Sequence, residues 1–249
     1  MLSFSRRATL SAFALLALAA CGNANGDDAS HGGAARNAET GLPDMVLGDA
    51  DAPVTLIEYA SVTCPHCADF HASAMPAIKE DYIETGKVKF IFREFPTPPQ
   101  NVAIAGFALA RCAGADNYYD VLDDLFANQT GILSAARQGA VIPALQAVGE
   151  RHGINGEAAF ESCINNSAIR QDIADVILSG EEYNISSTPT LILQGHRVEG
   201  TVRNYSAEGL SDLIDLELAA LGIDVSEPEP AVEETPATDG GVDSPSEQE

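Results

Sequence analysis

The sequence predicts an α/β fold, in which strands and helices alternate around a small sheet and one long stretch is helical throughout. Three observations predict it. The apolar, β-branched run Val54-Thr55-Leu56-Ile57-Glu58-Tyr59 leads into Cys64-Pro65-His66-Cys67 and then into a helix-patterned run from Ala68 to about Thr85. A second run, Lys87 to Phe95, alternates Val88, Phe90 and Phe92 as a strand does. Between Asn101 and Tyr183 apolar residues recur at three-to-four spacing, and β-type residues return only at Leu191-Ile192-Leu193.

The 249-residue chain is 45% hydrophobic and 20% charged, an ordinary globular balance. The stretch between its two low-complexity ends suffices for one domain, or for a domain with an insertion. The formal net charge is −24. Residues 44–224 hold 26 acidic and 10 basic side chains, a balance of −16, so the acidity is not confined to the tail. Such a polyanion is drawn neither to nucleic acid nor, by charge, to anionic lipid.

Taken in order, Asp44 to Ala52 is an entry segment in which Met45-Val46-Leu47 suits a short edge strand. Pro53 marks the turn into the first central strand, Val54 to Tyr59. A strand buried on both faces of a parallel sheet is apolar throughout, which makes Glu58 the exception. It shares a face with Val54 and Leu56, so burial beneath the two cysteines is expected. The alternative is a surface glutamate on an exposed strand face. The helix that opens at Cys64 should be kinked by Pro76 and ended by Gly86. Lys87 to Phe95 then pairs in parallel with the first strand.

Pro96, Pro98 and Pro99 break the pattern. Helices are expected over Asn101–Ala113, Tyr118–Asn128, Leu133–His152, Gly156–Ile164 and Ser167–Tyr183, with Pro143 splitting the third. Phe107, Tyr118, Tyr119, Phe126 and Phe160 read as core residues. Thr188-Pro189 precedes the β run Leu191–Leu193, a turn at Gly195 and the short run Arg197-Val198-Glu199. Tyr205 to Leu221 is an amphipathic helix with Leu210, Leu213, Ile214, Leu218 and Leu221 on its apolar side, suited to covering the sheet. Residues 226–249 are mostly Pro, Glu, Ala, Thr, Ser and Gly, with eight acids and no base, and are predicted to be disordered.

The chemistry is concentrated at Cys64 and Cys67. A sulfur at a helix N-terminus meets unpaired N–H groups and the positive end of the macrodipole. The thiolate, which is the reactive form, is favoured there. His66, charged or hydrogen-bonding beside the sulfur, should favour it further. Cys67 lies one turn later and inward, placed to close a disulfide with Cys64 and to resolve a mixed disulfide. The alternatives are a structural zinc site or a simple turn disulfide. Zinc wants four ligands, and no second C-x-x-C exists; His71 adds one ligand and a fourth is not evident. No metal or cofactor is expected. His31, His71, His152 and His196 receive no role.

The strand, Cys64-Pro65-His66-Cys67, the helix, and Thr188-Pro189 ahead of a β run resemble the thioredoxin-fold disulfide oxidoreductases of the DsbA-like branch, over roughly Met45 to Leu221. The resemblance implies a thioredoxin-like fold whose parts, 44–96 and 185–225, are separated by an inserted helical domain at 97–184. It implies a protein thiol:disulfide oxidoreductase that rests as a Cys64–Cys67 disulfide, and Pro65-His66 is the dipeptide of the strongly oxidising members. Glu58 lies six residues before Cys64, the spacing of that branch's buried acid, so it is expected to take or give the proton of Cys67. A cis Thr188–Pro189 bond is implied, facing the disulfide and leaving the Thr188 backbone free to pair with an extended substrate. The alternative is a trans proline opening a strand. Thr188 departs from the valine of the best-known oxidase and is also seen in the isomerase branch. Oxidase therefore stands beside reductase or isomerase, and beside a lipid-anchored module that binds a peptide or metal without turnover.

Residues 1–20 read as a secretion signal, with Arg6 and Arg7 before an apolar run too short to span a bilayer stably. Leu18-Ala19-Ala20-Cys21 resembles the bacterial lipobox, which implies acylation of Cys21 and a stable anchor of two or more chains. The alternative is cleavage by an ordinary signal peptidase. Gly22 is similar to the residue of lipoproteins sorted to the outer membrane. Ser5-Arg6-Arg7 only faintly resembles a twin-arginine signal, since Thr9 stands where Phe is preferred. Residues 21–43 are small and polar, a flexible tether too short for the dimerisation region of the family's isomerases, so a monomer is expected.

The expected setting is a bacterial cell envelope, facing the periplasm. The expected partners are exported proteins with cysteine pairs, a membrane redox partner and the bilayer. With Cys21 acylated, four of five cysteines remain, an even number suited to an oxidising compartment. Cys112 and Cys163 would then pair, closing a loop for at most about 4 kcal/mol; the alternative is two buried free thiols.

Overall fold

The computed structural model describes residue 36 and residues 41–200 and 205–223. The expected signal segment 1–20, Cys21, most of the 21–43 tether and the tail 226–249 lie outside the described residues. Five strands form one mixed sheet: β1 (Val46–Leu47), β2 (Val54–Ala60), β3 (Val88–Glu94), β4 (Thr190–Leu193) and β5 (His196–Arg197), in the order β1-β3-β2-β4-β5. β2 runs parallel to β3, with Val54 opposite Val88 and Ala60 opposite Glu94. β1 is antiparallel to β3, and β4 is antiparallel to both β2 and β5.

The sheet centre is covered on both sides. Val54, Leu56, Phe90 and Phe92 belong to the larger core. Ile57, Tyr59, Ile91 and Ile192 form a second cluster against Phe95, Tyr183 and Ile185. Two-sided burial is why Leu56-Ile57 and Phe90-Ile91-Phe92 run apolar at the strand centres, while alternation persists at the start of β3 with Lys89.

The crossover from β2 to β3 is α1 (Pro65–Ser73), α2 (Met75–Ile78) and a π turn over Lys79–Ile83. One kinked helix was expected here; the structure has three pieces. Pro76 has no N–H to bond back along the helix and its ring crowds the preceding turn, so α1 stops and Ala74 links the two segments. Gly86 ends the run at φ +71°.

Six helices follow: α3 (Gln100–Cys112), α4 (Tyr118–Ala127), α5 (Gln129–Arg137), α6 (Val141–Arg151), α7 (Gly156–Ile164) and α8 (Ser167–Ser179). The break expected at Pro143 falls instead at Gly139, whose φ is +73°. Pro143 sits in the first turn of α6, where the N–H it lacks has no intrahelical partner anyway. α5 also begins four residues before the expected start. Cys112 of α3 and Cys163 of α7 are joined as a disulfide, their Cα atoms 5.7 Å apart. The closing helix, α9 (Ala207–Ala220), buries Leu210, Ile214 and Leu218. Leu221, expected on that face, lies beyond the helix and is 51% exposed.

Two buried arginines tie the pieces to β3. Arg93 donates to both carboxylate oxygens of Asp44, at 3.0 and 2.9 Å, and to the Tyr59 hydroxyl. Arg111 of α3 donates to both oxygens of Glu94 and to the Pro43 carbonyl, while the Tyr118 hydroxyl also donates to Glu94. Burial alone would lower both guanidinium pKa values; the carboxylates reverse that and hold both raised. Tyr118 and Tyr119 are thus more than apolar filling, since the Tyr119 hydroxyl donates to Met45 and Phe90 carbonyls. Arg36 falls in the expected flexible tether, yet it donates to Asp172 and Asp175 of α8 at 3.1 and 3.0 Å, which fixes that point on the domain.

Candidate active site

Cys64 caps α1 in an extended conformation, and Pro65 takes the first helical position, where its fixed φ suits the turn. The loop between β2 and α1 is braced from β3 and the insertion. The Thr97 N–H donates to Ser61 Oγ, and Thr63 Oγ1 donates to the Thr97 carbonyl at 2.8 Å. Gln129, at the start of α5, donates from Nε2 to the carbonyls of Val62 and Cys64, each at 2.9 Å. Gly106 of α3 packs so closely that a Cβ there would lie 3.0 Å from the Val62 side chain.

Cys64 and Cys67 form a dithiol whose two sulfurs are held in opposite states. The Cys64 thiol is lowered from 9.0 to about 5, first by a hydrogen bond from the Cys67 thiol. Burial opposes this; the Thr188 side chain and the backbone N–H groups of Cys67 and His66 assist, without a short cap bond. The Cys67 thiol is pushed far up by burial, then by its bond to Cys64 and by the nearby Glu58 charge. One sulfur, 7% exposed beside the cavity, is favoured as the thiolate at neutral pH, and the other stays protonated. The contribution of His66 comes from its backbone rather than its ring. The ring is 83% exposed and lies 3.9 Å from Asp69.

Thr188–Pro189 is cis. The Cys64 thiol donates to the Thr188 carbonyl at 3.3 Å. Beside it a cavity of about 500 Å³ is lined by His66, Asp69, Phe70, Thr188, Pro189 and Tyr205.

On the other side of α1, Glu58 is fully buried. Its Oε2 lies 2.8 Å from His71 Nε2, and its Oε1 has no hydrogen-bond partner among the described residues. The His71 ring stacks on Phe126, centroids 4.2 Å apart, and its Nδ1 lies 3.9 Å from Asp123. His71, Asp123 and Phe126 line a second cavity of about 370 Å³.

The structure therefore brings Cys64, Pro65, His66, Cys67, Glu58, Thr188 and Pro189 into one neighbourhood. Two residues of that neighbourhood had no expected role. His71 falls four residues after Cys67, on the same inward helix face, and that spacing was a usable signal. Gln129 had none, because its target is a loop 65 residues away in sequence. Among the described residues, no group of three or more His, Cys, Asp or Glu is arranged to hold a metal ion, and no helix is long and apolar enough to cross a membrane.

A profile of the Thioredoxin family matches residues 40–216. A Rickettsia bellii protein with the provisional name protein-disulfide oxidoreductase is 31% identical over 173 residues, 69% of this chain and 63% of that protein. The match therefore spans less than two thirds of that relative's length. Disulfide bond formation protein D of Bacillus subtilis is 27% identical over 191 residues, 73% of this chain and 82% of that one. A cysteine variant of Wolbachia pipientis alpha-DsbA1 superposes with a TM-score of 0.61 at 26% identity, covering 72% of this chain and 94% of that one.

Proposed function

This chain belongs to the thioredoxin family, its thioredoxin-like sheet interrupted by helices α3 to α8, and on that premise we propose that it is a protein thiol:disulfide oxidoreductase that oxidises cysteine pairs of exported proteins. The observation that carries the reading is the placement of the pair, Cys64 at the start of α1 against the cis Thr188–Pro189 bond and Cys67 buried behind it, which lowers the first thiol to about 5 and raises the second. A sulfur that is comfortable as a thiolate favours the reduced enzyme, and so makes the Cys64–Cys67 disulfide oxidising.

In the proposed cycle a substrate thiolate attacks Cys64 Sγ. The Cys64–Cys67 bond breaks, Cys67 leaves with the electron pair and takes a proton from Glu58. A second substrate thiolate then attacks its partner's sulfur, and Cys64 leaves as a thiolate. Two electrons pass from substrate to enzyme. The cavity beside Cys64 suits an extended substrate, with the Thr188 backbone as a pairing edge and Phe70, Pro189 and Tyr205 as apolar walls.

The envelope setting, the acyl anchor at Cys21 and a membrane partner that restores the disulfide belong to the same reading and rest on the sequence pattern of residues 1–22. A reductase or isomerase is the second reading, favoured by Thr188. Equilibrating the full chain with glutathione separates them. A reduction potential between roughly −120 and −180 mV supports the oxidase, and one near roughly −270 mV supports a reductase. Absence of reversible titration, with function retained in Cys64→Ser, would leave only a binding module.

A further inference from the structure

We propose that His71 is a positioning and proton-exchange residue, the connection through which the buried Glu58 carboxylate trades protons with solvent while Cys67 reacts. The proposal rests on the thiol:disulfide reading and adds to it the route of the proton.

Cys67 is fully buried and must lose a proton before it attacks, and regain one when it leaves. Glu58 is the nearby carboxylate, and it is also fully buried, so a proton placed on it needs an exit. The groups that face this pair come from several elements: Cys64 and Cys67 at the start of α1, Tyr119 and Asp123 of α4, Lys79 of the π turn, and Tyr205 ahead of α9. The Tyr119 hydroxyl is engaged with Met45 and Phe90, and the Tyr205 hydroxyl accepts from the Leu191 N–H. His71 instead meets the carboxylate with Nε2 at 2.8 Å and directs Nδ1 toward Asp123, whose side chain is 60% exposed. Phe126 stacked on the ring holds it in this orientation. The bond at Oε2 leaves Oε1 open, with no hydrogen-bond partner among the described residues.

Cys67 Sγ–H passes its proton by way of one water to Glu58 Oε1, which lies beyond direct hydrogen-bond reach of the sulfur. The Cys67 sulfur attacks Cys64 Sγ of a mixed disulfide, the Cys64–Cys67 bond forms, and the outgoing thiolate departs with the electron pair. Glu58 is now neutral, and the His71 imidazolium it had faced releases a proton from Nδ1 to water in the cavity beside Asp123. Substrate attack on the disulfide runs the same exchange backwards.

The test uses the reduced full chain and oxidised glutathione, following by stopped flow first the attack of Cys64 and then its resolution by Cys67, across pH. His71→Gln should slow the second step by about tenfold or more and remove an inflection from its pH profile, with the first step nearly unchanged. An unchanged second step, or equal slowing of both, overturns the proposal. Should the variant fail to fold, wild-type protein with 15N-labelled histidine serves. The His71 nitrogens should titrate at different pH in the disulfide and dithiol forms, and identical titration overturns the proposal. A wild-type chain that never exchanges with glutathione overturns the functional reading itself, a result distinct from either.

Discussion

The side-chain amide of Gln129 donates to the backbone carbonyl of Cys64 at 2.9 Å, and from the same nitrogen to that of Val62. A helix of the insertion thereby grips the loop that carries the nucleophile. The Cys64 carbonyl also accepts from the Ala68 N–H, so the Val62 carbonyl depends more heavily on the amide. Gln129→Leu, close in volume, should cost about 1–3 kcal/mol for the buried acceptor it leaves. Urea unfolding reads the stability, and the ultraviolet absorbance of the thiolate reads the loop. A variant as stable as wild type would show that the clamp is idle.

His66 acts on the thiolate through its backbone N–H, with its ring in solvent. His66→Pro removes that N–H and should raise the Cys64 pKa. His66→Ala retains it and should shift the pKa much less. Thiolate absorbance against pH measures both; equal shifts in the two variants would return the role to the imidazole.

The lowered Cys64 thiol makes stability depend on pH in one redox form only. Its folded pKa, about 5, lies below the ordinary 9.0. Between those values the unfolded dithiol chain keeps a proton that the folded one has lost, so the stabilisation grows as pH rises and is lost as pH falls through about 5. The disulfide form has no such group. The melting temperature of the dithiol form minus that of the disulfide form should therefore climb from about pH 5 to about pH 8. A flat or falling difference in calorimetry would be falsifying.

Glu94 and Arg111 are paired in the interior, with Arg111 1% exposed. Glu94→Gln leaves the guanidinium with Asp172 at 3.9 Å as its remaining carboxylate contact, and should cost about 3–5 kcal/mol in chemical denaturation. Asp124 and Arg151 make the control, since the Arg151 side chain is 48% exposed. Arg151→Gln should cost at most about 1 kcal/mol, because its guanidinium already lies half in water and Asp124 keeps His152 and Asn128 as partners. Equal costs at the two sites would contradict the burial argument.

Much of the site could be read before the fold was known. Glu58 was conspicuous as a charge within an apolar strand, and Cys64 as a sulfur where a strand gives way to a helix. The His66 ring lies 83% exposed, and adjacency in sequence does not say which way a side chain turns at a helix start. His71 and Gln129 escaped, since a helix pattern does not say which buried acid the His71 ring will meet, and the periodicity around Gln129 says nothing about what its polar end will meet.

By itself the sequence determined the elements, the reactive pair and the family, since period, cap and turn chemistry act within a few residues. Tertiary structure alone decided that Arg111 would neutralise Glu94, that Gln129 would hold the Cys64 loop, and that Glu58 would share His71. Each of these is a contact between groups whose burial is tolerable only when the partner arrives. Which partner arrives is set by how helices and sheet pack, and no local pattern encodes that.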